Sequence, residues 1–311
     1  MNTSLFNAVT FDAEHFPENR IDIQIDLVER WYIWPVPIFE LADRNFSTFL
    51  KNREWDRINY GMWLRWNNFR GRKEELLGKI RLGYKEEYSM TYKKPNMGKL
   101  QQHGISGGFI LNRQSEISYM TKDNAPVDYN ETEGKSQIRQ SVAFNYEFRR
   151  KHFISHRVGL EYAYTSVSDS VALLNPDYLG NGATSMSFLT FNYRFTHDLR
   201  DSKIYPLEGY AFKLDILQNG LGIIQDFDYP HTNIIGTFFF HQKLNHRFYF
   251  SNATKARYTS RKPLPHFFNK ALGYTENLSG YEYYVIDGSD YFLTKYFLKF
   301  DSCFNNLIMD T

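Results

Sequence analysis

Three groups of residues in this 311-residue chain have the types and spacings from which chemistry could be built. Asp198 and Asp201 flank Arg200 in HDLRDSKIYPLEG, a spacing open to paired acids or to a Ca²⁺-binding turn. The same segment supplies Pro206 and Gly209, and Asp, Pro and Gly are what a tight polar turn needs, so turn chemistry explains them more simply. His152 and His156 would share one face of a strand about 13 Å apart, too far to hold one metal ion unaided. Lys79, Arg81 and Lys85 could be a phosphate patch, but every-other cations on a strand read better as the lining of a polar wall. No G-x-S-x-G, H-E-x-x-H, P-loop or dinucleotide fingerprint occurs. Cys303 is the sole cysteine, so no intrachain disulfide or cysteine-based metal site can form. These residues imply neither covalent chemistry nor a cofactor.

The elements that would position such groups are strands. In residues 188–217, Leu189, Phe191, Tyr193 and Phe195 alternate with Thr190, Asn192, Arg194 and Thr196. After the polar turn, Tyr210, Phe212, Leu214 and Ile216 alternate with Ala211, Lys213 and Asp215. A period of two is the strand signature, and an apolar face backed by a charged one suits a wall between oil and water. The pattern recurs in residues 57–69, 76–85, 87–95, 137–150, 157–165, 232–244, 246–259 and 291–300, with residues 102–121 as one long strand and residues 38–46 as the first. That makes about twelve strands after Trp34, many near ten residues, the length that crosses a bilayer core at a barrel's tilt. Compact links near 71–75, 149–153 and 198–208 alternate with long ones near 122–136, 168–185 and 260–290, as in membrane barrels. Residues 20–28 alternate as a half-buried strand of a small separate domain, and Pro35 and Pro37 then forbid a central-strand ladder, which sets a boundary near Trp34.

Composition agrees with this reading. With 37 basic and 35 acidic residues the net charge is +2, so no basic field points to nucleic acid. Mean hydropathy is −0.53 and no apolar run of about 18 residues exists, which excludes helical membrane spans but not a barrel. Aromatic residues, 27 Phe, 23 Tyr and 5 Trp, form 18% of the chain, and Tyr and Trp favour places where one end of a ring is dry and the other wet. The first sixteen residues lack the basic and apolar regions of a signal peptide. A soluble antiparallel sandwich or barrel is the competing architecture.

Three segments carry a resemblance to the BamA/TamA family of outer-membrane assembly factors, the bacterial surface antigen superfamily. HDLRDSKIYPLEGYAFKLDI resembles that family's inner-side turn between the eighth and ninth strands, with Asp198, Arg200, Asp201, Pro206 and Gly209 on the pattern. LGYTENLSGYEYYVIDGSDYFLTKYFLKF resembles the loop and strand after the eleventh strand, where the family folds a hydrophobic–Arg–Gly–aromatic motif into the lumen. Gly280 and Tyr281 match it, and Ser279 stands where the family has Arg. VERWYIWPVPIFELADRNFSTFL is similar to the junction between the last periplasmic POTRA domain and the first strand in relatives from the Bacteroidetes.

The resemblance implies an all-β, antiparallel transmembrane β-barrel with about 12 of about 16 strands present. Residues 1–34 would end a POTRA-like periplasmic domain, residues 35–300 would form a barrel incomplete at its C-terminal side, and residues 301–311 an irregular tail. The expectation is therefore a fragment. The implied role is insertion of barrel proteins into the bacterial outer membrane, or polypeptide translocation across it. Its partners would be outer-membrane lipids, unfolded β-barrel clients and accessory periplasmic or lipoprotein subunits, with no nucleic acid. The lateral gate would use the first strand, at Ile38, Phe39, Glu40 and Leu41. Two alternatives remain open on the residues: a porin-like channel of about twelve strands, and the barrel part of an outer-membrane enzyme such as a phospholipase. The enzyme would need an outward Ser–His pair on neighbouring strands.

Overall fold

Strict alternation commits a chain to strands, and apolar residues on one face commit those strands to a single register. The computed structural model of this protein describes residues 5–16, 20–41, 57–132, 134–223, 226–274, 276, 278, 280–281 and 284–301. β1 (Phe6–Phe16) and β2 (Arg20–Glu29) form a two-stranded antiparallel ribbon. Residues 20–28 are a strand, as alternation requires, but not a half-buried one. Ile21, Ile23, Ile25 and Leu27 are all exposed, since among the described residues no second layer covers the ribbon.

Along the chain follow β3 (Ile33–Leu41), β4 (Ile58–Phe69), β5 (Glu74–Gly83), β6 (Lys85–Met97) and β7 (His103–Gln114). A small hairpin, β8 (Glu116–Lys122) and β9 (Ala125–Asn130), comes next. Then come β10 (Gln137–Arg150), β11 (Ile154–Val167), the short helix α1 (Asp169–Leu174), β12 (Ser185–Asp198), β13 (Gly209–Asn219), β14 (His231–Lys243) and β15 (Phe248–Thr259). The short pair β16 (Lys270–Leu272) and β17 (Ile286–Asp287) precedes β18 (Tyr291–Phe300). Twelve of these strands form one antiparallel sheet in the order β18-β15-β14-β13-β12-β11-β10-β7-β6-β5-β4-β3. Once the small pairs are set aside, each strand lies beside its neighbour in sequence, and among the described residues β3 and β18 are the edges.

Two strand assignments need correcting. Residues 102–121 are not one strand: the chain breaks at Ser115, and β8 leaves the large sheet to pair with β9. The turn between β8 and β9 is Asp123–Asn124, both at positive φ (53° and 60°), the conformation of a two-residue hairpin loop. The first strand spans Ile33–Leu41 rather than residues 38–46, and Ala42 to Phe46 lie outside the described residues. Pro35 and Pro37 fit inside it because β3 is an edge. The Asn67 N–H donates to the Tyr32 carbonyl at 2.8 Å, so even-numbered residues of β3 bond β4. Odd-numbered residues, both prolines included, turn their backbone to the unpaired side.

The sheet's two faces are inverted relative to a soluble protein. On β10, Val142 and Phe144 are 61% and 55% exposed, whereas Ser141 is only 8% exposed. Tyr60, Met62, Ile80, Phe109, Leu160 and Phe238 are likewise exposed on the apolar face. The opposite face carries cross-strand ion pairs: Lys79–Glu87 at 2.9 Å, Arg81–Glu87 at 3.3 Å, Arg157–Glu147 at 2.8 Å, and Arg194 with Asp215. A sheet that presents its oily side outward and its charges inward is built for lipid outside and water inside.

The links sort by end. Residues 70–73, 98–102, 151–153, 199–208 and 244–247 connect strands at one end. At the other lie residues 115–136, 168–184, 220–230 and 260–290, together with the tight link at Tyr84. The long links pack on one another. Val171 of α1, Tyr178, Leu179 and Ile117 join Ala163, Val167, Met186 and Phe188 of the strand ends in a core, with Phe227, Phe267 and Phe268 against it. This dome over the mouth is where burial resembles that of a soluble domain.

Candidate functional site

At the short-link end, the turn between β12 and β13 is built from its own polar groups. Arg200 donates from Nε and from its guanidinium NH₂ to the two Asp198 carboxylate oxygens, both at 2.8 Å, a bidentate pair. The ladder runs on past the strand ends, with Leu199 N–H bonding Tyr210 O at 2.8 Å and Asp201 N–H bonding Glu208 O at 3.1 Å. The Asp201 carboxylate accepts the N–H groups of Ser202 (2.8 Å) and Leu207 (3.0 Å). Burial opposes its charge, but the N–H groups of Leu207, Ser202 and Glu208 outweigh that and hold the carboxyl below the ordinary carboxylate range. Gly209 closes the turn at φ +97°, where an added Cβ would meet Leu199 O at 2.2 Å. The structure thus brings Asp198, Arg200, Asp201 and Gly209 into one compact unit, with no geometry for paired acid catalysis.

The turn folds over the inner face and reaches the far edge of the sheet. The Arg200 guanidinium lies 5.4 Å from the ring centre of Phe239. Lys299 of β18 donates from Nζ to the Pro206 carbonyl at 2.6 Å and sits 4.5 Å over the Tyr205 ring. Sequence reasoning missed Lys299. Alternation on β18 places Lys295 and Lys299 on the polar face, but only the curvature of the sheet brings the twelfth strand to the turn between the eighth and ninth.

At the opposite edge, pairing with β4 places Ile38 and Glu40 on the inner face and Phe39 and Leu41 on the outer one. Glu40 pairs with Arg81 at 3.4 Å, and Phe39 is 73% exposed. The chain enters β3 at the short-link end. There the β1–β2 ribbon, extended one rung by Arg30 N–H to Leu5 O (2.9 Å), meets the start of β3 through Tyr32 OH to Leu5 O (3.1 Å). Trp31, Trp34 and Trp63 line an open groove of about 640 Å³ at this junction. Edge strands leave N–H and C=O groups free to pair with another strand, which is the chemistry this arrangement offers.

The loop after the eleventh strand touches the polar face of the sheet. Ser279 lies outside the described residues. Gly280 adopts φ +83°, and Tyr281 is exposed and packs edge-on against Tyr284. Contact with the strands comes from Glu276, which pairs with Lys255, and from Phe267, 5.7 Å from the Arg139 guanidinium.

The remaining candidate groups fall apart as chemistry. His152 sits in the turn before β11 rather than on a strand with His156, and the His156 Nδ1 lies 2.9 Å from the Tyr193 hydroxyl. Lys79, Arg81 and Lys85 occupy the inner face, the first two bound to Glu87. Among the described residues no three His, Cys, Asp or Glu side chains gather as a metal site, and no helix is long and apolar enough to cross a membrane.

Comparison with known proteins adds the following. A family model described as the Omp85 superfamily domain matches residues 68–302. The chain is similar to the crystal structure of BamA from Haemophilus ducreyi lacking POTRA domains 1–3, at 12% identity and a TM-score of 0.56, over 86% of this chain and 49% of that one. It is also similar to CdiB from Acinetobacter baumannii, at 10% identity and a TM-score of 0.53, over 98% of this chain and 54% of that one. No curated protein matches the sequence. The chain spans about half the length of these solved relatives, and at such identities the likeness is one of fold.

Proposed function

The chain belongs to the Omp85 superfamily, and from that premise we propose that it acts in the bacterial outer membrane, helping β-barrel proteins insert there or polypeptides cross, without covalent chemistry. Its partners are outer-membrane lipids, unfolded β-barrel clients and accessory periplasmic or lipoprotein subunits. The short-link end faces the periplasm, with the turn of residues 198–209 on that side. The chain before β3 belongs to a POTRA-like unit, a reading supported by the entry of the chain into β3 at that end.

One observation carries the proposal: among the described residues β3 is a lipid-level edge strand whose odd-numbered residues leave their backbone unpaired. A client strand can add there by ordinary antiparallel hydrogen bonding, which lowers the cost of bringing unpaired backbone into lipid. Pro35 and Pro37 remove donors from the same edge, so pairing is held short of permanence. The test is client folding into vesicles that carry this chain. A urea-denatured outer-membrane barrel is expected to fold faster than into empty vesicles. Phe39→Pro, which deletes one free-edge donor and spares the bonds to β4, is expected to remove that gain. No acceleration by the unaltered chain, or full acceleration by the variant, would overturn the reading.

A further inference from the structure

The dome over the long-link mouth is fastened by a strap, residues 264–269, that crosses from the β15–β18 loop to the β11–β12 loop. His266 N–H bonds Asp177 O and Phe267 N–H bonds Tyr178 O, both at 3.0 Å. Beneath it Phe267 lies over Arg139 of the inner face, and Phe268 packs on Phe188 and Phe227. A second tie runs from Val285 N–H to Asn124 O at 2.7 Å, and a third joins Thr121, Tyr274 and Asp287. Together the strap and these two ties, made elsewhere in the β15–β18 loop, link three long loops over one mouth.

Two buried imidazoles hold it, and both sit in surroundings made for the neutral ring. His266 is 8% exposed; its Nε2 is buried with no hydrogen-bond partner among the described residues, and its ring lies 5.8 Å from that of Tyr178. The charged groups facing it are Asp287, whose Oδ2 is 3.8 Å from Nδ1, Asp177 and Lys270. His231 is 2% exposed and its ring packs on Phe268 at 4.9 Å. Its Nδ1 donates to Tyr229 O at 2.7 Å and its Nε2 accepts from Asn219 Nδ2 at 2.9 Å, so every position is filled by the neutral tautomer. The charged groups facing His231 are Arg261 and Arg257.

We propose that the strap is an acid-released plug: protonation of His266 and His231 unseats residues 264–269 and opens the lumen at the long-loop end. A proton on His266 Nε2 points a donor into a site with no acceptor, and a proton on His231 Nε2 breaks its bond from Asn219. Burial, more than the opposing Asp287, sets the direction for His266 and holds its pKa below the ordinary imidazole value. The released strap therefore binds protons more readily than the seated one. Seating is fully stable above the ordinary value of about 6.5 and is lost as pH falls below it, by up to about tenfold per pH unit for each imidazole.

Hydrogen exchange of the full chain in lipid nanodiscs tests this, with rates corrected for the intrinsic pH dependence. Between pH 7.5 and pH 5 the strap amides are expected to lose at least about tenfold of their protection, while β10 keeps its own. In the double variant His231→Gln/His266→Gln that pH dependence is expected to vanish. Unchanged strap protection in the parent chain, or the same loss in the variant, would overturn the proposal. So would a midpoint near 4, the carboxylate range, which would assign the release to Asp287 or Asp177. Because the midpoint is read on the parent chain, a variant that fails to fold leaves the test intact.

Discussion

Gly209 is the residue on which the β12–β13 turn depends most. Its φ of +97° and the Leu199 carbonyl 2.2 Å from any added Cβ leave no room for a side chain. Gly209→Ala is expected to cost about 1–3 kcal/mol, read as a lower unfolding midpoint in detergent, and to loosen the contact of Lys299 with Pro206. Much of this turn was legible in the sequence, because Asp, Pro and Gly act through local geometry that needs no partner. Asp201 bonds residues within six positions of itself, and Arg200 bonds Asp198. Lys299 was not legible, since its partner is 93 residues away and is brought close only by the bend of the sheet. The same holds for Glu276 and Phe267, whose partners on the strands, Lys255 and Arg139, come close only in the folded sheet.

At the scale of the element, β3 shows how proline can be placed without breaking a strand. Both prolines face the open side, so neither removes a bond to β4. Pro35→Val with Pro37→Val restores two donors on an exposed edge and is expected to promote edge-to-edge pairing, seen as dimers or larger species by size-exclusion chromatography. Monomeric behaviour of that variant would show that something else protects the edge. Strand identity was legible wherever one face is apolar and the other charged, as in β10 and β11. It failed at residues 102–121, where the hydrophobic pattern continues past the break at Ser115. The signal there was Asp123–Asn124, a pair suited to positive φ at both positions of a hairpin turn.

At the scale of the molecule, the governing fact is the inversion of exposure. Aromatic and aliphatic side chains look outward, while ion pairs such as Arg157–Glu147 line the inside. Leu160→Arg, on the outer face near mid-strand, is expected to cost about 2–4 kcal/mol of folding free energy in lipid vesicles. Leu160→Ala at the same position is the control for a loss of packing alone. The count of twelve sheet strands and the two-sided alternation were readable from period and length. The dome was not, because its core assembles from four loops distant in sequence whose residues have no shared period.

The central claim is that the free side of β3 pairs with an incoming strand. Its most direct test is disulfide trapping in a Cys303→Ser background, with a client carrying single cysteines along its terminal strand. Phe39→Cys and Leu41→Cys are expected to trap the client in a residue-by-residue register, with Phe144→Cys on β10, equally outward but flanked by strands on both sides, trapping none. Equal trapping at Phe144, or none along β3, would contradict the account.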